Sequence, residues 1–177
     1  MRQNEQSVSP MSNKGRNAYV IEHITSAMLN LLKGKNIDEI SISELTDKAR
    51  VGRASFYRNF NSKEDVLKAH LDRIFIGWIN ESKSKYNESL SEQLRTLILH
   101  FEKNYDFYKL LNDHGLIYLI KDAIINSMGL NPEAGKSEAY IKAFAAYATY
   151  GWIETWFQRG MKESADEIAE MFKTFGL

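Results

Sequence analysis

The chain has 177 residues, 44% of them hydrophobic and 26% charged, with 2 prolines, no cysteine and a formal net charge of zero. This composition is typical of a globular protein and argues against a disordered or fibrous one, and the lack of cysteine excludes disulfides, thiolate zinc sites and iron–sulfur clusters. Because the sequence has neither a run of about eighteen apolar residues nor a signal-peptide pattern, we expect a cytoplasmic protein with no membrane partner.

The charges are unevenly distributed along the chain. Residues 1–70 contain 11 basic and 8 acidic side chains, whereas residues 71–177 contain 12 and 15. The excess is concentrated in residues 41–63, with five basic against two acidic residues. A surface facing phosphate would have this bias, but an ordinary solvated surface accounts for a difference of this size as well.

The first half of the chain predicts helices, because its apolar residues recur at three- and four-residue spacing. A first helix is expected from about Asn17 to Lys33. Ser41 and Glu44 form a capping-box pattern, in which the serine hydroxyl accepts a backbone N–H and the glutamate reaches back, so a short helix should begin there. A second short helix should follow from Arg53 to Phe60.

The second half is also predicted to be helical, and no alternating pattern indicates a strand. The pattern from Ser62 to Asp65 predicts another capped helix that runs past Ile79. Further helices are expected over about residues 90–103, 106–112, 116–127, 137–159 and 164–175. The predicted fold class is therefore all-α.

The two short helices and the brief turn between them match what a reader of the DNA major groove needs. The second helix carries side chains suited to base edges and phosphates, namely Arg53, Ser55, Arg58 and Asn59. Phe56 and Phe60, four residues apart, can pack inward, while Tyr57 and Lys63 suit phosphate contacts. The alternatives are a solvated surface for the polar residues and a core position for Tyr57.

The segment from Ala49 to Leu67, which reads ARVGRASFYRNFNSKEDVL, resembles the DNA-binding head of the TetR family of bacterial regulators. A weaker resemblance joins Tyr147 to Trp156, and the following Gly160-Met161, to the C-terminal domain of one TetR subgroup. The resemblance implies a helical homodimer that binds a pseudo-palindromic operator. It implies a helix-turn-helix domain (17–68) and a helical ligand-binding and dimerisation domain (69–177), and the polar residues before them predict a flexible tail (1–16).

The resemblance also implies roles for individual residues. Ser41 and Ser43 would lie near phosphate, Arg53, Ala54 and Ser55 would face bases, and Tyr57 and Lys63 would contact phosphate. The chain departs from the family at two positions, with Arg50 where a turn glycine is common and Gly52 where a polar cap is common. A residue other than glycine in a left-handed turn costs about 1 kcal/mol, which the fold tolerates. Arg50 and Gly52 join the predicted DNA-binding residues.

Aromatic and small residues in the second half suggest two further sites. A pocket for a small apolar or aromatic effector could be lined by Trp78, Phe101, Tyr105, Tyr118, Phe144 and Trp152. Core packing alone, however, explains most of these aromatic residues. A dimer interface on the last two helices could contain Ala145, Ala148, Trp156, Ile168, Met171, Phe172 and Phe175.

The leading hypothesis from the sequence is a homodimeric, sequence-specific transcriptional regulator that acts as a repressor. The second is a helical adaptor of the same fold that has given up DNA and binds a protein partner. An enzyme is not expected, because no nucleophile elbow, phosphate-cradling loop or acid–base group can be assembled. No cofactor or metal is expected either, because the four histidines are scattered.

Overall fold

A computed structural model of the chain describes residues 13–82, 89–131 and 133–174. Within these residues every regular element is helical, which confirms the predicted all-α fold. The helices are α1 (Asn13–Leu32), α2 (Ile42–Ala49), α3 (Arg53–Asn59), α4 (Lys63–Ser82), α5 (Leu90–Lys103), α6 (Tyr105–Asp113), α7 (Tyr118–Ser127), α8 (Lys136–Gln158) and α9 (Ala165–Thr174), with a 3-10 turn at Ile37–Glu39.

The predicted helices are all present, with small shifts at their ends. The largest shift is at α1, which begins at Asn13 rather than at about Asn17 and so includes part of the predicted tail. The 3-10 turn is not predicted from the sequence, because three residues are too few to show a periodic pattern. Residues 1–12 of the predicted tail lie outside the described residues.

The chain divides into two compact units, and the division falls inside α4, after Leu67. In the N-terminal unit, called the head below, α1 packs on α2 and α3, and α2 packs on α3. Ile24 and Met28 of α1, Leu45 of α2 and Phe56 of α3 are completely buried in this contact. Burial of such apolar side chains is the main source of stability for three helices that would be marginal alone.

In the C-terminal unit, α5 packs against α6 and α9, while α7 packs against α8. Its core is rich in aromatic rings. Phe101 is fully buried, with its ring centroid 4.5 Å from that of Tyr108 and 5.5 Å from that of Phe157. In the described part of the chain, no helix combines the length and the apolar character needed to cross a membrane.

Candidate nucleic-acid interface

Ser41 caps the N-terminus of helix α2, as the sequence predicts. The Ser41 Oγ accepts a hydrogen bond of 3.1 Å from the backbone N–H of Glu44, so one of the free N–H groups of the helix terminus is satisfied. The Glu44 carboxylate interacts with the backbone N–H of Ser41, as the predicted capping box requires, and also with a side chain outside that pattern. The Glu44 carboxylate lies 2.6 Å from Lys35 Nζ, and this hydrogen bond holds the pKa of Glu44 below its usual value. One of the two acidic charges in residues 41–63 is therefore neutralised locally.

The turn between α2 and α3 is formed by Arg50, Val51 and Gly52. Arg50 has φ 55° and ψ 41°, which is the left-handed conformation expected for this position. The N–H of Arg50 donates to Asp47 O at 3.1 Å and that of Val51 donates to Thr46 O at 3.0 Å, the two bonds of a Schellman motif. Gly52 is extended, with φ −74°, and its carbonyl accepts the first backbone bonds of α3. The two helices of the motif are thus joined by a tight turn that these hydrogen bonds close.

Helix α3 has one buried face and one exposed face. Phe56 and Phe60 are buried, with ring centroids 5.7 Å apart, and they anchor the helix to the head. Arg53, Arg58 and Tyr57 of the same helix are exposed, Tyr57 by 55% of its surface. A helix anchored by buried aromatic residues can present cations and a hydroxyl at its surface without losing its position.

Asn59 and Ser55 are less available for contacts with DNA than the sequence suggested. The Asn59 Nδ2 donates a hydrogen bond of 2.8 Å to the backbone carbonyl of Ser55, one turn earlier on α3. Both side chains are half-buried. The side-chain amide of Asn59 therefore supports the last turn of the helix, and its carbonyl oxygen is the group left to accept a hydrogen bond from a ligand.

Lys63 lies at the start of α4 and is half-buried. Its ammonium group donates a short hydrogen bond to the backbone carbonyl of Ile37, in the 3-10 turn between α1 and α2. Nearby, Ser62 and Asp65 form a reciprocal cap, in which Asp65 N donates to Ser62 Oγ and Ser62 N donates to Asp65 Oδ2, both at 3.1 Å. Lys63 therefore connects α4 to the α1–α2 loop, a role that sequence reasoning missed because the partner is 26 residues away.

The remaining predicted DNA-binding residues lie at the surface around this motif. Ser41 and Ser43 are exposed at the start of α2, and Ala54 is exposed on α3. Thr46, which the sequence analysis overlooked, is almost completely buried and its hydroxyl donates to the carbonyl of Ile42 at 2.9 Å. A polar residue at a core position escapes a search for apolar periodicity.

The six residues of the predicted pocket are placed in different surroundings. Trp78 and Phe101 pack against the same two side chains, because the ring of each contacts the rings of Phe75 and His100. Trp152 packs on Phe172, at 5.2 Å between ring centroids. The other three residues, Tyr105, Tyr118 and Phe144, are mainly at the surface. The structure thus brings together only part of the predicted set.

The surroundings of Trp78 include polar groups inside an aromatic core. His100 Nε2 and Tyr108 Oη are 2.8 Å apart and form a buried hydrogen bond. Burial lowers the pKa of His100 to about 4, with a smaller effect from Lys103, and burial also raises the pKa of Tyr108. The Trp78 Nε1 is buried and has no hydrogen-bond partner in the described part of the chain. Such a donor is costly to leave unpaired.

The predicted dimer residues are also divided. Trp156, Ile168 and Phe172 are buried within the subunit, and Trp156 Nε1 donates to Glu163 O at 2.8 Å. Met171 is exposed, Ala145 and Ala148 are half-buried, and Phe175 lies outside the described residues. Among the 13–82, 89–131 and 133–174 ranges, no group of three histidine or acidic side chains could hold a metal ion.

An exposed apolar strip lies instead along the first half of α8. It consists of four residues, Tyr140, Ile141, Phe144 and Tyr147, which are exposed by 77%, 67%, 62% and 51%. Their spacing puts them on one side of the helix. The signal was present in the sequence, but α8 has apolar residues all round, so periodicity alone could not separate its exposed side from its buried side.

Both units match known families. Residues 24–70 match the family described as bacterial regulatory proteins, tetR family, and residues 88–176 match a family described as transcriptional regulator C-terminal region. The first match contains α2, the turn and α3, and the second covers just over half of the chain.

Individual proteins show the same similarity. The HTH-type dhaKLM operon transcriptional activator DhaS of Lactococcus lactis subsp. lactis is 26% identical over 86 residues, which span 49% of this chain and 45% of that protein. The match thus covers less than half of the relative's length. Among solved structures, a TetR transcriptional regulator from Streptococcus agalactiae has a TM-score of 0.63 at 18% identity, covering 93% of this chain and 97% of that one. The dihydroxyacetone kinase operon activator DhaS has a TM-score of 0.52 at 18% identity, with 88% and 93% covered.

The structural matches share the all-helical fold described above, and the sequence matches follow one another in the order of the two units. The helix-turn-helix, its exposed cationic face and these matches lead to one conclusion. This chain belongs to the TetR family of bacterial DNA-binding transcriptional regulators.

Proposed function

We propose that this protein binds a pseudo-palindromic operator as a homodimer and thereby regulates transcription. The observation that carries the proposal is helix α3, which exposes Arg53, Tyr57 and Arg58 while the buried Phe56 and Phe60 anchor it to the head. A helix of this kind fits the major groove, which is about 12 Å wide.

The proposed contacts divide into two kinds. Arg53 would read a base edge, since arginine can donate two parallel hydrogen bonds to guanine, and the Ala54 methyl group suits contact with a thymine methyl. Tyr57 would contact phosphate. Ser41 and Ser43, at the start of α2, would do the same, and their exposure at the surface supports this role. Lys63 retains two ammonium protons beyond its bond to Ile37 and could reach phosphate with them.

A homodimer is the second part of the proposal, since members of this family bind operators as dimers. The α8 strip supports an interface there rather than on α9, because the strip is exposed while Ile168 and Phe172 of α9 are buried. With about 200 Å² for each large side chain, the strip presents roughly 500 Å² of apolar surface. A standard interface takes about 800 Å² from each partner, so the strip supplies more than half of it.

The third part is regulation by a small apolar or aromatic effector. The unpaired Trp78 Nε1, beside His100 in an aromatic core, supports a ligand that brings a hydrogen-bond acceptor. An effector that prefers one dimer shape would shift the population of shapes, and the heads would then no longer match two major grooves about 34 Å apart.

Repression is the proposed outcome, because a dimer seated on a promoter blocks access to it. Activation is a second candidate that one observation favours, since the relatives called DhaS are named as activators. A reporter gene behind the operator separates the two, since deletion of the regulator raises expression from a repressed promoter and lowers it from an activated one.

The proposal is tested by selecting duplexes that bind the purified protein from a random pool at moderate salt. We expect enrichment of a sequence with two related half-sites. If no sequence is enriched, the proposal is refuted. That result would favour the alternative hypothesis, an adaptor that uses this fold to bind a protein.

A further inference from the structure

Three helices of this protein end in the same backbone motif, but with different residues at its strained position. In α2, α6 and α8 the left-handed residue is Arg50 (φ 55°), Gly115 (φ 67°) and Gly160 (φ 80°). In each case the next residue donates to a carbonyl five residues earlier, with lengths of 3.0, 2.8 and 2.8 Å. All three are Schellman motifs, and two of them use glycine.

Arginine is a poor choice for this position on conformational grounds. The left-handed region brings Cβ too close to the following carbonyl oxygen in every L-residue, whereas glycine enters it freely. Backbone strain of this kind is found at functional sites, where the side chain gives a benefit that the fold itself does not need. The turn would therefore form more easily with glycine at residue 50.

Nothing within the described residues compensates for the strain at Arg50. Its side chain is exposed, and its guanidinium makes no hydrogen bond or ion pair with any of them. A cation at the end of α2 also interacts favourably with the helix dipole, and this is the competing explanation. The two explanations predict opposite changes in stability when Arg50 is replaced. A dipole role predicts that loss of Arg50 destabilises the protein, whereas relief of strain predicts that it does not.

We propose that the guanidinium of Arg50 contacts an operator phosphate just before the recognition helix α3 enters the groove. The inference rests on the proposed DNA-binding function. Phosphate is the expected target because Arg50 lies in the turn and not on α3, only two residues before the Gly52 cap. Contacts from such positions fix the register of a protein on the duplex and carry no base preference. The strained arginine would then favour affinity over stability.

The test compares Arg50→Gly with Arg50→Lys in the full-length protein. Met161 provides a matched control, since it has φ 56° in the C-terminal unit, so Met161→Gly relieves the same backbone conformation there. Affinity for a selected operator is measured by fluorescence anisotropy over a series of salt concentrations, and the melting temperature by circular dichroism.

We expect Arg50→Gly to lower operator affinity about tenfold, equally for all base variants, and to reduce the salt slope by about one for each subunit. Its melting temperature should stay the same or rise by up to about 3 °C. Arg50→Lys should keep most of the affinity, and Met161→Gly all of it.

Three results would overturn the inference. The first is unchanged affinity and salt slope in Arg50→Gly, and the second is a lower melting temperature in that variant, which would assign Arg50 to the helix dipole. The third is a loss confined to one base pair, which would make Arg50 a base reader. Failure of the unaltered protein to bind any duplex would instead refute the proposed function, so the two failures are distinguishable.

Discussion

The ammonium group of Lys63 donates a hydrogen bond to the backbone carbonyl of Ile37, and so connects the start of α4 to the 3-10 turn before α2. The same lysine is expected from the family resemblance to contact phosphate. One side chain would therefore have two roles, one in the folded head and one at the DNA.

Replacing Lys63 by alanine should affect both roles. A hydrogen bond to a charged group contributes about 1.5–3 kcal/mol, and because Lys63 is only half-buried we expect its loss to lower the free energy of unfolding by less than this, about 1 kcal/mol. Operator affinity should fall alike for all sequences. Chemical denaturation and anisotropy measure the two effects, with Lys63→Arg as the control that keeps a donor. Unchanged stability in Lys63→Ala would show that the bond to Ile37 contributes nothing.

Arg53 is the residue most directly tied to base preference. Arg53→Ala should weaken binding to the preferred operator by about 1–3 kcal/mol, and binding to operators altered at the base pair that Arg53 reads by much less. The protein would then no longer discriminate between bases at that pair. Competition binding with a set of single-base variants measures this. Lys162→Ala, which removes an exposed cation from the C-terminal unit, is the control. An equal loss on every variant would make Arg53 a phosphate contact.

The α8 strip makes a prediction about assembly. Phe144→Glu would place a buried carboxylate in each half of a symmetric interface, so the dimer dissociation constant should rise at least about a hundredfold. Sedimentation velocity over a dilution series measures it. Met171→Glu on α9 is the matched control, since Met171 is also exposed. Dissociation by Met171→Glu and not by Phe144→Glu would instead place the interface on α9.

Two histidines, one buried (His100) and one half-buried (His70), predict a dependence of stability on pH. Burial lowers the pKa of His70 and of His100 to about 4, with smaller effects from Arg73 and Lys103. Their unfolded pKa is about 6.5, so the unfolded chain binds more protons between these values and stability is lost as pH falls. From pH 7.5 to pH 5.5 we expect a loss of about 1 kcal/mol for each histidine.

Thermal melting at the two pH values measures this loss. His100→Gln should reduce the pH dependence, because it removes one of the two titrating groups. A melting temperature that is constant over this range in the unaltered protein would contradict the lowered pKa of His70 and His100.

The sequence predicted local structure well, because each relevant signal lies within a few residues. Ser41 as a cap, Arg50 as a left-handed turn residue and Phe56 as an anchor are all local features, and the structure confirms each of them. The bond from Lys63 to Ile37 could not be predicted, because it depends on how distant segments pack.

The C-terminal unit was harder to interpret for a different reason. Its aromatic residues occur on every side of their helices, so the sequence does not distinguish a core residue such as Phe101 from an exposed one such as Phe144. Trp156 and Phe172 were assigned to a dimer surface on the same grounds, and both are buried in the subunit. The burial of a side chain depends on which helices pack next to it, and the sequence of one helix does not show its neighbours.

The most direct test of the central claim is the affinity of the full-length protein for its selected operator and for a version with about five base pairs inserted between the half-sites. An insertion of half a helical turn puts the half-sites on opposite faces of the duplex. We predict tight binding to the first, with an affinity that falls linearly with salt on logarithmic axes, and a large loss on the second. Equal affinity for the two duplexes, or affinity independent of salt, would contradict a dimer that reads DNA through α3.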